Sequence, residues 1–378
     1  MYRPQFNAAE QAALILDILR AATDCDMEVC KTAAHLVIEQ LLRTISTIEH
    51  LYEVNECINR EDIVDVEHCA DSVEFDAQTT LLNATVRDRS GPGKSSYESN
   101  DDLQLCTQMD SVVDVLKKAD TRMVNYKFAT KFNFIDDIIQ IYRLSQNALL
   151  RANVLKSLMD LCKLSGRIKP YLISSNFISD VVLNTDLKNS ADVHTKRATE
   201  FFGIVFDCEE EPSELLYEYM NSEFIAELMS SANCSDIIQF LIHFTRPRTV
   251  EILHEAWMSA GQAPGDLGNS ILEYINQLST TDDDRGLQFL LIVYRSPLRD
   301  ILFYNNDVKV IYDVLERVIC GTSHHPMRLL ALRVAALMME AKVHSDHPQI
   351  VRAAKVLLMR DDLSTEETNI ANTICDYP

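Results

Sequence analysis

The stretch FYNNDVKVIYDVLERV, residues 303–318, contains an apolar pattern that indicates the fold class of this chain. Its apolar residues recur three and four positions apart, which is the spacing of one face of an α-helix. They are Val308, Ile311, Leu315 and Val318. The charged residues Lys309, Asp313, Glu316 and Arg317 point elsewhere. Two asparagines and Asp307 precede the pattern, and their side-chain oxygens can accept the free amide hydrogens of a first turn. The stretch therefore predicts a capped amphipathic helix over 308–319 with one face in a core.

The same helical spacing recurs along almost the whole chain. Only 9 of the 378 residues are glycine, and no stretch alternates as a strand would. The predicted helices are 8–22, 27–45, 103–118, 134–144, 148–163, 193–206, 214–229, 235–244, 249–260, 270–278, 285–293, 308–319, 328–341, 349–359 and 365–374. Short connections between many such helices predict an all-α, armadillo/HEAT-like helical-repeat array, or α-solenoid. A compact irregular helical domain is the alternative.

One segment departs from this pattern. Residues 85–102, TVRDRSGPGKSSYESNDD, are polar and rich in glycine, serine and charge, which is typical of a flexible linker or long loop. The predicted organisation is an N-terminal helical segment, 1–82, a polar linker, 83–102, and an armadillo-like leucine-rich domain, 103–378. The alternative is one continuous domain in which 1–82 packs on the main array. A serine of the linker is a candidate for phosphorylation.

Charge and hydropathy restrict the partners. The formal net charge of -22 and the pI of about 4.8 predict attraction to basic partners and repulsion of phosphate backbones, so no nucleic-acid binding is expected. No apolar run reaches the roughly 18 residues that a membrane span needs. No signal-peptide cleavage pattern follows the apolar stretch near the N-terminus, which makes a cytoplasmic location the expectation. Most of the ten cysteines fall in apolar helical patterns, as Cys30, Cys162, Cys234 and Cys320 do, so free thiols are expected.

Motifs for catalysis, nucleotides and metals are weak. GPGKSS, residues 91–96, matches the end of a phosphate-binding loop, but Asp88 stands where the first glycine is required. Zinc is suggested by His324 beside His325 and by His344 near His347, yet no CxxC or HExxH pattern accompanies them. No GxSxG or cysteine–histidine signature of a nucleophilic enzyme occurs. We expect no enzyme, no cofactor and no metal site; a nucleotide-binding enzyme that depends on Lys94 is the rival hypothesis.

Two further residues have simpler interpretations. His325-Pro326 is typical of a helix start, with proline in the first turn. The single tryptophan, Trp257, lies in a helical pattern and is interpreted as a core residue, although tryptophan is also common among interface anchors.

The stretch 303–318 also resembles a segment of the leucine-rich, armadillo-like domain of the WISH/DIP family, the Nck-interacting proteins and their fungal relatives. The shared features are the aromatic pair, Asn-Asp, Lys-Val, and an isoleucine followed by an arginine further along the helix, here Ile311 and Arg317. Further blocks look similar in the same order: 152–165, ANVLKSLMDLCKLS; 203–206, GIVF; 217–229, YEYMNSEFIAELM; and 329–359. The likeness covers roughly residue 100 to the end and consists mostly of core leucines and alanines.

The resemblance implies a particular function. Members of the family bind and activate the actin-related protein 2/3 complex without a preformed filament, so that it nucleates linear filaments that seed branched networks. The implied location is the actin cytoskeleton, at the cell cortex or in endocytic actin patches. The chain departs from animal relatives because it carries no Src-homology-3 domain and no proline-rich region, and it resembles the short fungal architecture. It also shows no acidic tail with a tryptophan of the kind that branching activators of the complex use. This difference fits linear nucleation. The sequence contains no pattern that predicts an oligomeric state.

Candidate contact residues follow from the resemblance and from charge. Lys309 and Arg317 match the charged positions of the resembling segment and lie off the apolar face, so they are the first candidates. The alternative is that both pair with Asp313, which is four residues from each. Tyr304 and Asn306 either contact the partner or fix the turn.

Three arginines of the C-terminal region are further candidates. They are Arg328, Arg333 and Arg352. A basic cluster in an acidic protein marks an interface, because complementary charge guides association. The alternative function is a passive armadillo-type scaffold that binds another actin regulator, such as a formin, without activating nucleation.

Overall fold

The structure is a computed structural model. It describes residues 7–44, 49–58, 60, 62–89, 99–189, 192–231, 234–260, 264–278, 283–321, 325–341 and 348–377. The regular structure in these residues is entirely helical, and no strand occurs among them. The chain divides between Ile168 and Lys169 into two compact units.

The first unit contains helices α1 to α8. Their bounds are α1 Ala8–Thr23, α2 Met27–Thr44, α3 Glu49–Ile58, α4 Ala70–Arg89, α5 Ser99–Lys118, α6 Thr121–Thr130, α7 Asn133–Leu144 and α8 Ala148–Leu164. Helix α1 packs on α2 and α3, α4 packs on α5 and α7, and α8 packs on α5 and α7. Aromatic side chains fill part of this core, where Phe134 makes an edge contact with Phe75 at 5.2 Å between ring centroids.

The second unit follows a short helix, α9, Ile168–Ser174, at the boundary. Its further helices are α10 Phe177–Leu183, α11 Val193–Val205, α12 Glu214–Tyr219, α13 Ser222–Ser231, α14 Cys234–Phe244, α15 Val250–Ser259, α16 Pro264–Leu278, α17 Arg285–Tyr294, α18 Arg299–Leu302, α19 Asn305–Gly321, α20 His325–Glu340, α21 Pro348–Leu357 and α22 Thr365–Asp376.

Helices of the second unit pack on helices two or three positions further along the chain. Helix α11 packs on α14, α13 on α15, α17 on α20, α19 on α21 and α20 on α22. Such recurring contacts between near neighbours bury a continuous core, as stacked helical repeats do. The predicted all-α helical-repeat fold class is confirmed.

Buried ion pairs connect the N-terminal helices to the rest of the first unit. Arg20 on α1 pairs with Asp71 on α4 at 3.0 Å, and both side chains are about 8% exposed. Lys31 on α2 pairs with Asp120, which precedes α6, at 3.1 Å. The N-terminal segment therefore shares a compact unit with helices that were predicted to belong to the main array.

Part of the predicted linker 83–102 is helical, which corrects that prediction. Helix α4 continues to Arg89 and α5 begins at Ser99, so residues 83–89 and 99–102 are helical. The polar composition concealed Leu82 and Val86, which are four residues apart and buried. Residues 90–98, with the GPGKSS sequence, lie outside the described residues, and so does the proposed phosphorylation of that segment.

Other helix predictions need correction at particular places. Helices α3, α4 and α6 were not predicted, nor were the short helices α9, α10 and α18. The predicted helix 214–229 is two helices, α12 and α13. The break falls at Asn221, whose side-chain oxygen accepts a hydrogen bond from the amide of Phe224 at 3.0 Å and so caps the second helix.

Several residue predictions have clear outcomes. Trp257 is buried, which confirms the core interpretation, and α20 begins at His325 with Pro326 in its first turn, as predicted. Cys30 and Cys162 are buried as expected, but Cys320 is exposed, because it lies on the outer side of α19. The side chain of Cys234 lies outside the described residues. None of the described helices combines the length and apolar character that crossing a lipid bilayer requires.

Candidate protein-interaction site on helix α19

The helix in residues 303–318 begins earlier than predicted. Helix α19 starts at Asn305, so Asp307 lies in the first turn instead of capping it from outside. The carboxylate of Asp307 accepts a hydrogen bond from the backbone amide of Tyr304 at 2.8 Å, and this side chain is largely buried. A negative charge in the first turn also interacts favourably with the helix dipole. Asp307 therefore fixes the start of the helix.

The inner face of α19 is the predicted one. All four apolar residues identified from the sequence are no more than 3% exposed. This face packs against α16, α20 and α21. Burial of such aliphatic side chains stabilises the fold by roughly 1.5–3 kcal/mol each. The apolar face of α19 is therefore buried in the core and is not available to a partner.

The outer face of α19 is a single exposed stripe. It contains Asn306, Lys309, Val310, Asp313 and Arg317, which recur at helical spacing and span about 16 Å along the helix. In front of it, Phe303 stacks on the ring of Tyr294 at 6.4 Å, and the next side chain, Tyr304, is 64% exposed. We use the name α19 face for Tyr304, Asn306, Lys309 and Arg317.

The cations of the α19 face are not paired along the helix. No ion pair within 4.0 Å joins Asp313 to Lys309 or Arg317 in the described part of the chain. Arg317 instead donates a hydrogen bond from Nη2 to Oδ1 of Asn276 on α16 at 2.7 Å. This neutral acceptor orients the guanidinium without cancelling its charge. Both cations are therefore available to a partner.

Arg328 is not part of this surface, which corrects its prediction as a contact residue. Its side chain is wholly buried, and Nε donates to Oε1 of Glu367 at 2.6 Å. A second carboxylate, that of Asp362, lies 3.5 Å from Nη1. Arg328 sits on the inner side of α20, where it joins that helix to α22.

The other two arginines lie at the surface, where one forms an ion pair and the other does not. Arg333 on α20 pairs with Glu366 on α22 at 2.5 Å, so its charge is matched within the protein. Arg352 on α21 is exposed and forms no ion pair with any described carboxylate. The expected basic cluster is therefore reduced, because one arginine is buried and another is neutralised.

The C-terminal network includes residues that sequence reasoning missed. Oε2 of Glu367 lies 2.7 Å from Nδ1 of His325 and accepts hydrogen bonds from the amide and hydroxyl of Ser364 at 2.8 Å. Burial alone would raise the pKa of Glu367, but the hydrogen bonds from Arg328 and Ser364 lower it to about 2. Ser-x-x-Glu before a helix is a capping-box signal that the sequence does contain.

A second polar cluster joins the end of α11 to α14 and α17. Asp207 accepts a hydrogen bond from Nζ of Lys169 at 2.7 Å and pairs with Arg285, which also pairs with Asp283. Burial would raise the pKa of Asp207, but the hydrogen bond from Lys169 and the nearby charges bring it below its ordinary value. The partners are up to 78 residues apart, so no local sequence pattern predicts them.

His243 completes this cluster in its neutral form. Burial lowers the pKa of His243. A neutral ring that donates from Nδ1 to the carbonyl of Gly203 at 2.8 Å leaves Nε2 to accept from Arg285 at 3.3 Å. Arg246 donates to the carbonyls of Phe206 and Cys208 just past the end of α11. These bonds are structural, since each charged group is matched within the protein.

An open groove of about 1040 Å³ lies beside this cluster, between α14 and α17. Its floor contains Phe206, Ile242 and Phe289. None of the predicted contact residues of α19, α20 or α21 lines it. The groove and the α19 face are therefore separate features of the second unit.

No family model and no curated protein matches this chain.

In the described residues no three histidine, cysteine, aspartate or glutamate side chains are grouped so that they could hold a metal ion. His324, His344 and His347 lie outside the described residues. None of the nine cysteines whose side chains the structure describes forms a disulfide.

Proposed function

We propose that this protein binds the actin-related protein 2/3 complex through the α19 face and activates it without a preformed filament. The complex then nucleates linear actin filaments that seed branched networks in the cytoplasm, at the cell cortex or in endocytic patches. The resemblance of residues 303–318 to the WISH/DIP family supplies the partner. The observation that carries the proposal is that Lys309 and Arg317 of this segment are exposed and without a carboxylate partner in the described structure.

The mechanism requires no covalent chemistry by this chain. Activation follows if the α19 face binds the complex more tightly when its two actin-related subunits lie side by side, because a ligand shifts an equilibrium only by its differential affinity for the two states. A buried inner face and a fixed first turn hold the backbone that carries the contact residues in one arrangement, which lowers the entropy cost of binding.

Two exposed cations in a chain of net charge -22 also limit which surface a partner can use. An acidic surface of the complex would be repelled by most of this protein and attracted at the α19 face. Such local complementarity chiefly sets orientation and association rate. The proposed interface is therefore sensitive to charge reversal at Lys309 and Arg317.

The test is assembly of fluorescent actin with the purified complex, imaged filament by filament without preformed filaments. We expect linear filaments only when the complex and this protein are both present. The variant with Lys309→Glu and Arg317→Glu should lower the nucleation rate at least about tenfold, since two interface charges are reversed. A matched control reverses two exposed cations elsewhere in the same unit, Lys188→Glu with Lys196→Glu, and should nucleate as the wild type does.

The passive scaffold is one outcome of the same test. Binding of the complex or of a formin without filament formation would overturn activation and favour the scaffold. Equal loss of activity in the two double variants would overturn the α19 face as the contact and indicate a general effect of net charge. A branching activator added to the same complex shows that the complex is competent.

A further inference from the structure

The open groove between α14 and α17 offers apolar atoms to a ligand. The buried side chains of Phe206, Ile242 and Phe289 form its floor. Above them, the half-buried Ile292 and the exposed Pro247 bring apolar atoms to the solvent side of the groove. Its volume of about 1040 Å³ is just above the roughly 300–1,000 Å³ that is typical of ligand cavities. The groove is therefore large enough to hold several side chains of a partner.

The borders of the groove are acidic. Five carboxylates line it, in the loop that follows α11 and in the segment that precedes α17: Asp207, Glu209, Glu211, Asp283 and Asp284. Two cations, Arg246 and Arg285, are among the described lining residues. Burial lowers the pKa of His243, so its ring adds no charge at neutral pH. The lining therefore carries more negative than positive charge.

Both lining cations are already engaged by the protein. Arg285 pairs with Asp207 and Asp283, which accounts for two of the five carboxylates. Arg246 donates three hydrogen bonds to the backbone carbonyls that follow α11. Its nearest carboxylate, that of Glu211, is 4.0 Å away and 48% exposed. The two arginines therefore leave part of the acidic border without a close cation.

Glu209 and Asp284 are the carboxylates that a ligand can reach. Glu209 is exposed and forms no ion pair with any described cation. The half-buried carboxylate of Asp284 accepts a hydrogen bond from the neutral amide of Gln288 at 2.9 Å, and no described cation pairs with it. Carboxylates beside a groove with apolar walls attract cations strongly, because low-dielectric walls focus the electric field. Charge and shape together therefore favour a basic ligand with an apolar side chain.

We propose that this groove binds an unstructured, arginine-containing segment of a partner protein. An apolar side chain of the segment lies on the floor, and arginines lie beside Glu209 and Asp284. Arginine suits these positions because its planar guanidinium can bind a carboxylate through two parallel hydrogen bonds. A flexible chain can enter a groove whose floor a flat protein surface does not reach. This binding site is separate from the α19 face.

The first test measures fluorescence anisotropy of the labelled peptide Ser-Arg-Leu-Arg-Ile-Arg-Ser during titration with the full chain. We expect saturable binding of one peptide per chain, with a dissociation constant below about 100 μM at physiological salt. Replacing leucine and isoleucine of the peptide by serine should weaken binding at least about tenfold, since the contact with the floor is lost. Replacing its arginines by glutamine should weaken binding at least about tenfold as well.

The second test changes the groove. Glu209→Lys with Asp284→Lys should raise the dissociation constant of the peptide at least about tenfold, because both carboxylates become cations. Asp361→Lys with Asp376→Lys is the matched control, since it changes the net charge by the same amount at exposed carboxylates that do not line the groove. The control variant should bind the peptide as the wild type does. Circular dichroism verifies the helical fold of both variants.

Alkylation of cysteines locates the bound peptide without any substitution. Cys208 lines the groove and is partly accessible, whereas Cys320 is exposed on α19. Bound peptide should slow the reaction of Cys208 with N-ethylmaleimide and leave the rate at Cys320 unchanged, as followed by mass spectrometry. Lys309→Glu with Arg317→Glu should bind the peptide at least as tightly as the wild type, so this site and the α19 face can fail independently.

Four results would overturn the proposal. One is a wild-type chain that shows no saturable binding of the peptide, and another is equal weakening in the two double variants, which would indicate attraction by net charge alone. The third is an unchanged alkylation rate at Cys208 in the presence of bound peptide, which would place the peptide elsewhere. The fourth is tight binding of the serine-substituted peptide or full competition by spermine, which would assign the groove to small polycations.

Discussion

Arg328 and Glu367 form an ion pair in which both side chains are wholly buried, with Nε of the arginine 2.6 Å from Oε1 of the glutamate. The pair joins α20 to α22. Two buried charges stabilise a fold only when geometry and additional hydrogen bonds offset the cost of removing them from water. Here Ser364, Asp362 and His325 supply those additional contacts.

Removal of Arg328 should therefore destabilise the second unit strongly. We expect Arg328→Met to lower the free energy of unfolding by about 3–5 kcal/mol, because Glu367 is left buried without its cation. Urea denaturation followed by circular dichroism measures this. Arg333→Met removes an exposed pair between the same two helices and should cost less than about 1 kcal/mol. Similar losses of unfolding free energy in the two variants would contradict the argument that the buried pair contributes more than the exposed one.

The same pair predicts a dependence of stability on pH. The pKa of Glu367 is lowered to about 2 in the folded protein from an ordinary 4.5. The unfolded state therefore takes up the proton first, so the stabilising contribution is complete above about pH 4.5 and is lost as the pH falls toward 2. The difference in unfolding free energy between wild type and Glu367→Gln should shrink over this interval. A difference that stays constant over the same interval would contradict this prediction.

A close helix approach makes a third prediction at Gly268 on α16. A Cβ added there would lie 2.8 Å from the carbonyl oxygen of Leu302, a backbone atom that cannot rotate away. Alanine normally stabilises a helix relative to glycine by about 1 kcal/mol. We expect Gly268→Ala to lower stability by about 1–2 kcal/mol instead, because overpacking outweighs that gain.

Thermal unfolding measures the effect at Gly268. Gly321→Ala provides the control, since nothing lies within 4 Å of a Cβ built at the end of α19. Stabilisation of up to about 1 kcal/mol is expected there, since the helix gain is not opposed by a clash. Stabilisation by Gly268→Ala would show that α16 and the segment at Leu302 can move apart at little cost.

Helix α19 shows how far local pattern can go. Its buried face follows from the spacing of four apolar residues, and all four are buried as predicted. Its start does not follow from the sequence, because Asp307 could cap from outside the helix or from within its first turn. In the structure the helix begins at Asn305, and Asp307 accepts the amide hydrogen of Tyr304 from within the first turn.

Charged residues mark the limit of sequence reasoning for the candidate site. Lys309 and Arg328 look alike in the sequence, yet one is exposed and the other is wholly buried. The difference depends on Glu367, which lies 39 residues further along the chain and creates a partner for Arg328. A periodicity within one helix contains no information about such a partner.

The spacing of apolar residues and the scarcity of glycine predicted that the regular structure of the described residues is helical, because both are local properties that fix local structure. The same spacing also determined which face of α19 is buried. The packing of the helices determines which cations reach the surface, which join helices, and which carboxylates of the groove are left without a cation. Those outcomes depend on contacts between residues far apart in the chain, and the free energy of a charge or an apolar surface is set by what lies beside it.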